Sequence, residues 1–136
     1  MSKGNTTEND VLIKIFQATE LSWDANTNLY VALHTADPGE GGSQTTSEAN
    51  YGSYSRQAVA RDATGWDVTA NEASNDDLIQ FPTASSGTNT ITHISIGTAS
   101  SGAGQVLYKG ALSASLAVSA GIQPQFSPNA ITITED

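Results

Sequence analysis

The hydrophobic pattern of the chain changes its period once, near residue 24. Before that point, apolar or small side chains recur at the spacing of one helix face, at Val11, Leu12, Ile15, Phe16 and Thr19. The pattern predicts an amphipathic helix over residues 8–20, preceded by a polar N-terminal arm over residues 1–7, with Thr7 in a capping position. Helical spacing identifies a face that is buried but does not identify what covers it. Packing against this domain and packing against a neighbouring chain therefore both remain open.

Beyond residue 24 the period is two, which is typical of half-buried strands. Short strands are predicted within residues 29–34, 54–61, 65–70, 78–82, 90–97, 105–112, 115–124 and 130–136, separated by Gly/Ser/Asn turns. In the fifth of these, Ile94 and Ile96 are predicted on one face, with Ile91 and His93 on the other. The fold class is therefore mainly β. We expect residues 8–136 to form a single β-sandwich or small barrel (jelly-roll or Ig-like) of about eight short strands with one N-terminal α-helix.

Composition adds limits to this picture. The 136 residues contain no cysteine and carry a net charge of −9, with only five basic residues, which are scattered. Nucleic acid is excluded as the expected partner because binding to phosphates requires clustered basic residues. No apolar segment approaches the length of a membrane span, so no membrane partner is expected. Leu, Ile, Val and Phe together stay below ~20% of the chain, which indicates a thin core of the kind that neighbouring subunits often complete.

Candidate chemistry does not assemble into a known site. His34 and His93 lack metalloprotease spacing, and no serine lies in a nucleophile-elbow motif. The glycine-rich stretches lack the lysine of a phosphate loop. Asp37 and Glu48 are separated by the length of a calcium loop, but the alternate positions between them lack acidic ligands. We therefore predict no enzyme and no catalytic, metal-binding or cofactor-binding residue. A two-histidine metal site and a calcium loop stay open as alternatives that the spacing does not favour.

Two long stretches, at residues 29–61 and 91–136, carry a family resemblance. The motifs are LHTADPGE, IGTASSGAG and LYKGAL, and together they resemble a family of small tailed-bacteriophage virion proteins whose members are often labelled tail fibre protein. The resemblance implies a virion structural protein made in the cytoplasm of a host bacterium, and it supplies no catalytic residues. A small acidic β-domain with a polar arm suits a capsid decoration (cement) protein on the exterior of the mature head, where it would bridge capsid subunits.

The expected partners are the major capsid protein and further copies of the chain, arranged as a homo-oligomer, most simply a trimer. Candidate protein-interface residues come from the arm, the helix and the loop after the first strand, and they include residue types enriched in interfaces: Ser2, Lys3, Asn5, Phe16, Tyr51, Tyr54 and Arg56. The alternatives are a tail, baseplate or fibre-associated component, and a carbohydrate-binding module in which Trp23, Tyr51 and Tyr54 are exposed and stack on sugars.

Overall fold

Two packed layers of antiparallel β-structure and one helix form the domain, in a computed structural model that describes every residue from 1 to 136. The elements are β1 (Ser2–Lys3), α1 (Asn5–Gln17), β2 (Asn28–His34), β3 (Gln57–Ala60), β4 (Trp66–Thr69), β5 (Glu72–Asn75), β6 (Ile79–Gln80), β7 (Asn89–Gly97), β8 (Val106–Val118), β9 (Gln125–Phe126) and β10 (Thr132–Thr134). The predicted mainly-β sandwich with a leading helix is confirmed.

Three sheets divide the strands between the layers. The largest sheet has the order β1-β8-β7-β2-β3, a second has the order β10-β5-β4, and the third is the pair β6-β9. Two predicted strands, at residues 105–112 and 115–124, merge into the single strand β8, while β5 and β9 form where turns were predicted. The polar segment β5 becomes a strand because its backbone pairs with β4 on one side and with β10 on the other.

The core lies between the layers, and strand β7 contributes three isoleucines to it where two were predicted on one face. Ile91, Ile94 and Ile96 all belong to the same buried cluster, whereas simple alternation placed Ile91 on the opposite face. The cause is a register irregularity in the β7–β8 ladder, where Ile91 faces Leu116 but His93 faces Ala111. Such an irregularity changes which face the following side chains occupy. The thin core therefore gains one more isoleucine than the alternation predicted.

The N-terminal arm and the helix differ from their predicted bounds. Residues Ser2–Lys3 are an edge strand on β8 and not a free arm, and the helix begins at Asn5 and ends at Gln17, three residues earlier than predicted at each end. Gly4, not Thr7, is the N-cap, and Ala18 ends the helix in a left-handed conformation with φ 50°. With 13 residues, this helix has neither the length nor the apolar character needed to cross a membrane.

Candidate functional site

The most exposed apolar surface of the molecule lies on helix α1. Four large side chains share one side of it and are exposed to solvent by 36%, 55%, 67% and 79%, in the order Val11, Leu12, Ile15 and Phe16. We refer to these four residues as the helix stripe. Scattered apolar side chains are normal on protein surfaces, but a contiguous group on one element is typical of a binding site. The helix stripe is therefore the candidate docking surface.

The opposite side of α1 faces the domain and is polar. The Thr7 hydroxyl donates to the Val106 backbone carbonyl at 2.9 Å and lies fully inside the structure. The Gln105 side-chain amide donates both to the Thr7 hydroxyl at 3.0 Å and to the Asp10 carboxylate at 2.8 Å. These contacts fix the helix against the start of β8. Packing of the apolar face against this domain, one of the two predicted arrangements, is therefore wrong.

Two further bonds attach the helix to the segment that follows it. The Trp23 indole N–H donates to the Asp10 carboxylate at 2.8 Å, and the Lys14 ammonium donates to the Asp24 carboxylate at 2.7 Å. The bond from Lys14 and the backbone N–H of Leu21 stabilise the charged carboxylate and lower the pKa of Asp24 to about 2. Thr7, Asp10 and Lys14 are thus bonded to the domain or to the segment after the helix, while the apolar side chains lie on the other side of α1.

The other helix and arm residues predicted at an interface are accessible to different degrees. Ser2, Asn5 and Phe16 are exposed, while Lys3 is half-buried with its ammonium 2.7 Å from the Glu135 carboxylate. Ser2 and Lys3 also belong to the edge strand β1. That these four residues contact a partner stays a prediction.

The long loop between β2 and β3 turns its predicted interface residues inward. Tyr51 is only 3% exposed and Arg56 is 8% exposed. The Arg56 guanidinium binds both carboxylate oxygens of Glu48, at 2.7 and 2.9 Å, and also donates to the backbone carbonyls of Ala99 at 2.8 Å and Gly102 at 2.7 Å. A paired, bidentate geometry of this kind is among the strongest side-chain interactions. Arg56 therefore clamps this loop to the turn between β7 and β8.

The two tyrosines of the loop are also engaged internally. The Tyr51 hydroxyl donates to the Pro82 carbonyl at 2.9 Å, and the Tyr54 hydroxyl donates to Glu48 at 2.9 Å while it accepts the Leu33 backbone N–H at 3.1 Å. Burial raises the pKa of Tyr54 well above its usual range. Tyr51 is buried and Tyr54 is half-buried, so the expected exposure of both tyrosines is wrong, while their contact with a partner stays a prediction.

The third aromatic residue of the carbohydrate hypothesis is also covered. Trp23 is half-buried, and the Arg61 guanidinium lies 5.0 Å from the centre of its ring. Stacking on a sugar requires an open aromatic face. Tyr51 is buried, and Trp23 and Tyr54 are half-buried, so the exposure that this hypothesis expected for all three is wrong.

Gln44 is the principal buried residue that sequence reasoning missed. It is fully buried, and its side-chain amide donates to the Tyr30 carbonyl at 3.3 Å while its oxygen accepts the Ala99 backbone N–H at 3.0 Å. A Cβ atom on Gly97 would lie 2.1 Å from Gln44 Cδ, and one on Gly104 would lie 2.0 Å from Gln44 Oε1. The glycines of the IGTASSGAG motif thus make room for this side chain, and their spacing around a turn was the available signal.

His34, at the end of strand β2 in the large sheet, is a second fully buried polar side chain besides Gln44. One ring nitrogen, Nδ1, lies 2.8 Å from the Thr46 carbonyl, and the other, Nε2, lies 2.8 Å from the Ser95 hydroxyl. Since a carbonyl only accepts, Nδ1 carries the proton and Nε2 accepts from Ser95. Burial lowers the pKa of His34 and favours this neutral form. Both nitrogens are occupied, and no three side chains of metal-binding type come together anywhere in the chain.

Comparison with known proteins assigns a family. Residues 2–134 match a family model described as Podophage GP4 fiber I protein gp80. The match covers nearly the whole domain, including the helix and both stretches that carry the motifs. No curated protein matches the sequence significantly. The description names a fibre protein of a podophage and no catalytic activity.

Proposed function

Because the chain belongs to this family of bacteriophage structural proteins, we propose that it is an external virion component anchored to a neighbouring virion protein through the helix stripe. The observation that supports this proposal is the exposure of Val11, Leu12, Ile15 and Phe16 on a helix whose polar side is turned inward. A short helix that presents anchors at these spacings fits the helix-in-groove mode of recognition.

The size of the stripe indicates what kind of neighbour it needs. Complete burial of a large apolar side chain contributes roughly 1.5–3 kcal/mol. Leu12, Ile15 and Phe16 are each more than half exposed, so docking in a groove would add about 1–2 kcal/mol for each of them. That sum is small against the cost of association. Stable attachment therefore requires additional contacts, which repeated copies in a homo-oligomer, such as a trimer, would supply through avidity.

Two locations in the particle are compatible with such an anchor. The family description names a fibre protein, which favours a fibre or a fibre-associated position, and we take this position to be at the tail. The second candidate is a decoration protein on the capsid exterior with the major capsid protein as its partner. The compact acidic domain, which presents one apolar side and carries a net charge of −9, supports this second candidate. We place the fibre location first because the family description points there.

The test compares particles that assemble with altered versions of the chain. A Leu12→Ser/Phe16→Ser chain should fold normally, since exposed side chains contribute little to stability, but should be missing from purified particles. A Leu78→Ser/Ile122→Ser chain is the matched control, because these side chains are 45% and 40% exposed and lie outside the stripe.

Immunogold labelling of the same particles separates the two locations. Gold on the tail or fibres supports the first location, and gold over the head supports the second. Equal incorporation of the stripe variant and the control would overturn the anchoring role of α1 at either location.

A further inference from the structure

A cleft opens where the two layers of the sandwich separate. Its volume is about 680 Å³, within the range of ~300–1,000 Å³ that is typical of ligand sites. Leu29 and Ile96 line it from the large sheet, and Val68, Ala73 and Ile133 line it from the sheet β10-β5-β4. The last three are abreast in the strand register, so one continuous apolar wall crosses all three strands. The floor of the cleft is therefore apolar and preformed.

Most of the charged residues that line the cleft are acidic. It contains one basic residue, Arg61, against four acidic residues: Asp62, Asp67, Glu72 and Glu135. Glu135 is paired with a lysine at 2.7 Å, but no cationic side chain lies within 4.0 Å of the other three carboxylates. Arg61 pairs with a different carboxylate: its guanidinium lies 3.9 Å from that of Asp24 and donates to three backbone carbonyls of the segment before β2. The rim thus carries uncompensated negative charge.

One polar atom of a residue that lines the cleft also lacks a partner. Trp66 is 9% exposed, and its indole Nε1 is the one buried side-chain nitrogen or oxygen with no hydrogen-bond partner in the protein. Buried donors are nearly always paired, so an unpaired one at a cleft requires an explanation. Nε1 itself has almost no accessible surface, so a carbonyl of a bound peptide would reach it only after movement of the surrounding side chains.

We propose that this cleft binds a lysine- or arginine-rich segment of a partner protein, with one apolar side chain of that segment buried between the sheets. The apolar floor accommodates the anchor, and the unpaired carboxylates at the rim attract flanking basic residues. Charge complementarity argues against a second copy of this acidic chain as the occupant. A sugar is disfavoured because Trp66 is buried and the face of Trp23 is covered by Arg61. The proposal concerns a surface other than the helix stripe and stands whether or not the stripe is an anchor.

The direct test measures peptide binding to the full chain by fluorescence anisotropy at low salt. The probe is a labelled peptide in which lysines flank a central leucine–tryptophan pair. One comparison peptide carries glutamates in place of the lysines, and another carries serines in place of the apolar pair. We expect binding of the first peptide only, with an affinity that falls as salt rises.

Two pairs of variants locate the binding. Asp67→Lys/Glu72→Lys should weaken binding about tenfold, because two attractive contacts become repulsive. Glu40→Lys/Asp77→Lys makes the same change in charge at exposed positions that do not line the cleft, and it should leave binding within about twofold. Val68→Ser, at a lining residue that is 69% exposed, should weaken binding several-fold, whereas Leu78→Ser should not.

Three outcomes would overturn the proposal. The first is absence of binding of the lysine-flanked peptide by the unaltered chain. The second is an equal loss of affinity in the rim pair and in the control pair, which would indicate a general charge effect. The third is binding of neutral oligosaccharides that Val68→Ser abolishes, together with absence of peptide binding, which would assign the cleft to a sugar.

Discussion

Replacement of Arg56 by methionine should destabilise the whole domain, because this side chain holds the β2–β3 loop in place. The side chain of Arg56 is only 2% exposed and that of its partner Glu48 is 16% exposed. Four hydrogen bonds of 2.7–2.9 Å leave the guanidinium, two to the Glu48 carboxylate and two to the carbonyls of Ala99 and Gly102. Methionine preserves most of the volume and removes all four bonds.

The expected loss of unfolding free energy depends on how the Glu48 carboxylate fares once Arg56 is gone. Removal of one partner of a buried ion pair costs about 3–5 kcal/mol, mainly because the other charge stays buried and unpaired. Glu48 keeps the hydroxyl of Tyr54 as a donor and is slightly exposed, which places the expected loss near the lower end, at about 3 kcal/mol. For a domain of this size, that loss lowers the melting temperature by roughly 10 °C. The double change Arg56→Met/Glu48→Met removes both charges and should cost less than Arg56→Met alone.

Urea unfolding monitored by tryptophan fluorescence measures these differences. Lys3→Met is the matched control, since it breaks an ion pair with Glu135 whose side chains are 27% and 43% exposed. Such a surface pair contributes about 0–1 kcal/mol. If Arg56→Met lowers the free energy of unfolding no more than Lys3→Met does, the guanidinium does not hold the loop. Arg56 would then be free to contact a partner, as the interface prediction has it.

Two further changes test the buried side of the large sheet. Gly97→Ala should cost about 1–3 kcal/mol in urea unfolding, because the added Cβ would lie 2.1 Å from Gln44 Cδ. Gly41→Ala, whose Cβ would come no closer than 3.9 Å to another atom, should cost nothing measurable, and equal losses would contradict the packing described for Gln44. Burial lowers the pKa of His34 below its ordinary value of 6.5, so the folded state resists a proton that the unfolded chain accepts. The free energy of unfolding should therefore have its full value above pH 6.5. It should fall as the pH drops below 6.5, by at most about 1.4 kcal/mol per pH unit. His34→Gln should reduce this slope in unfolding measured at a series of pH values, and an unchanged slope would assign the proton uptake to another group.

The alternation of apolar residues predicted the strands that have two or more apolar positions. It missed β5 and β9, which each place a single apolar side chain, Ala73 and Phe126, against the core. Segments such as Leu29–Leu33 and Ile131–Ile133 were found because one of their faces is buried. Strand β5 has the sequence Glu-Ala-Ser-Asn and was predicted as a turn, since its place in the sheet depends on backbone pairing with β4 and β10. Backbone pairing leaves no hydrophobic period in the sequence. The polar strand was therefore beyond what the pattern could show.

The loop residues that were expected to be exposed are engaged internally for a different physical reason. Tyrosine and arginine are enriched in interfaces because they combine apolar area with strong hydrogen bonds. The same properties suit them to hold a loop internally, as Tyr54 and Arg56 do through Glu48. The carbonyls that complete the Arg56 clamp lie more than 40 residues further along the chain. Residue type alone cannot distinguish an internal partner at that separation from an external one.

The orientation of helix α1 shows how the sequence does specify a docking surface once the fold is known. Periodicity found the apolar stripe, but the residues that decide its direction are the polar ones at Thr7, Asp10 and Lys14. A rotation that buried the stripe would break their bonds to Val106, Gln105, Trp23 and Asp24. It would also leave the Val106 carbonyl without the Thr7 donor. An amphipathic helix normally turns its polar side to water. Here that side is bonded to the domain, so the apolar side is the one exposed to solvent, and this is the surface that we propose for docking.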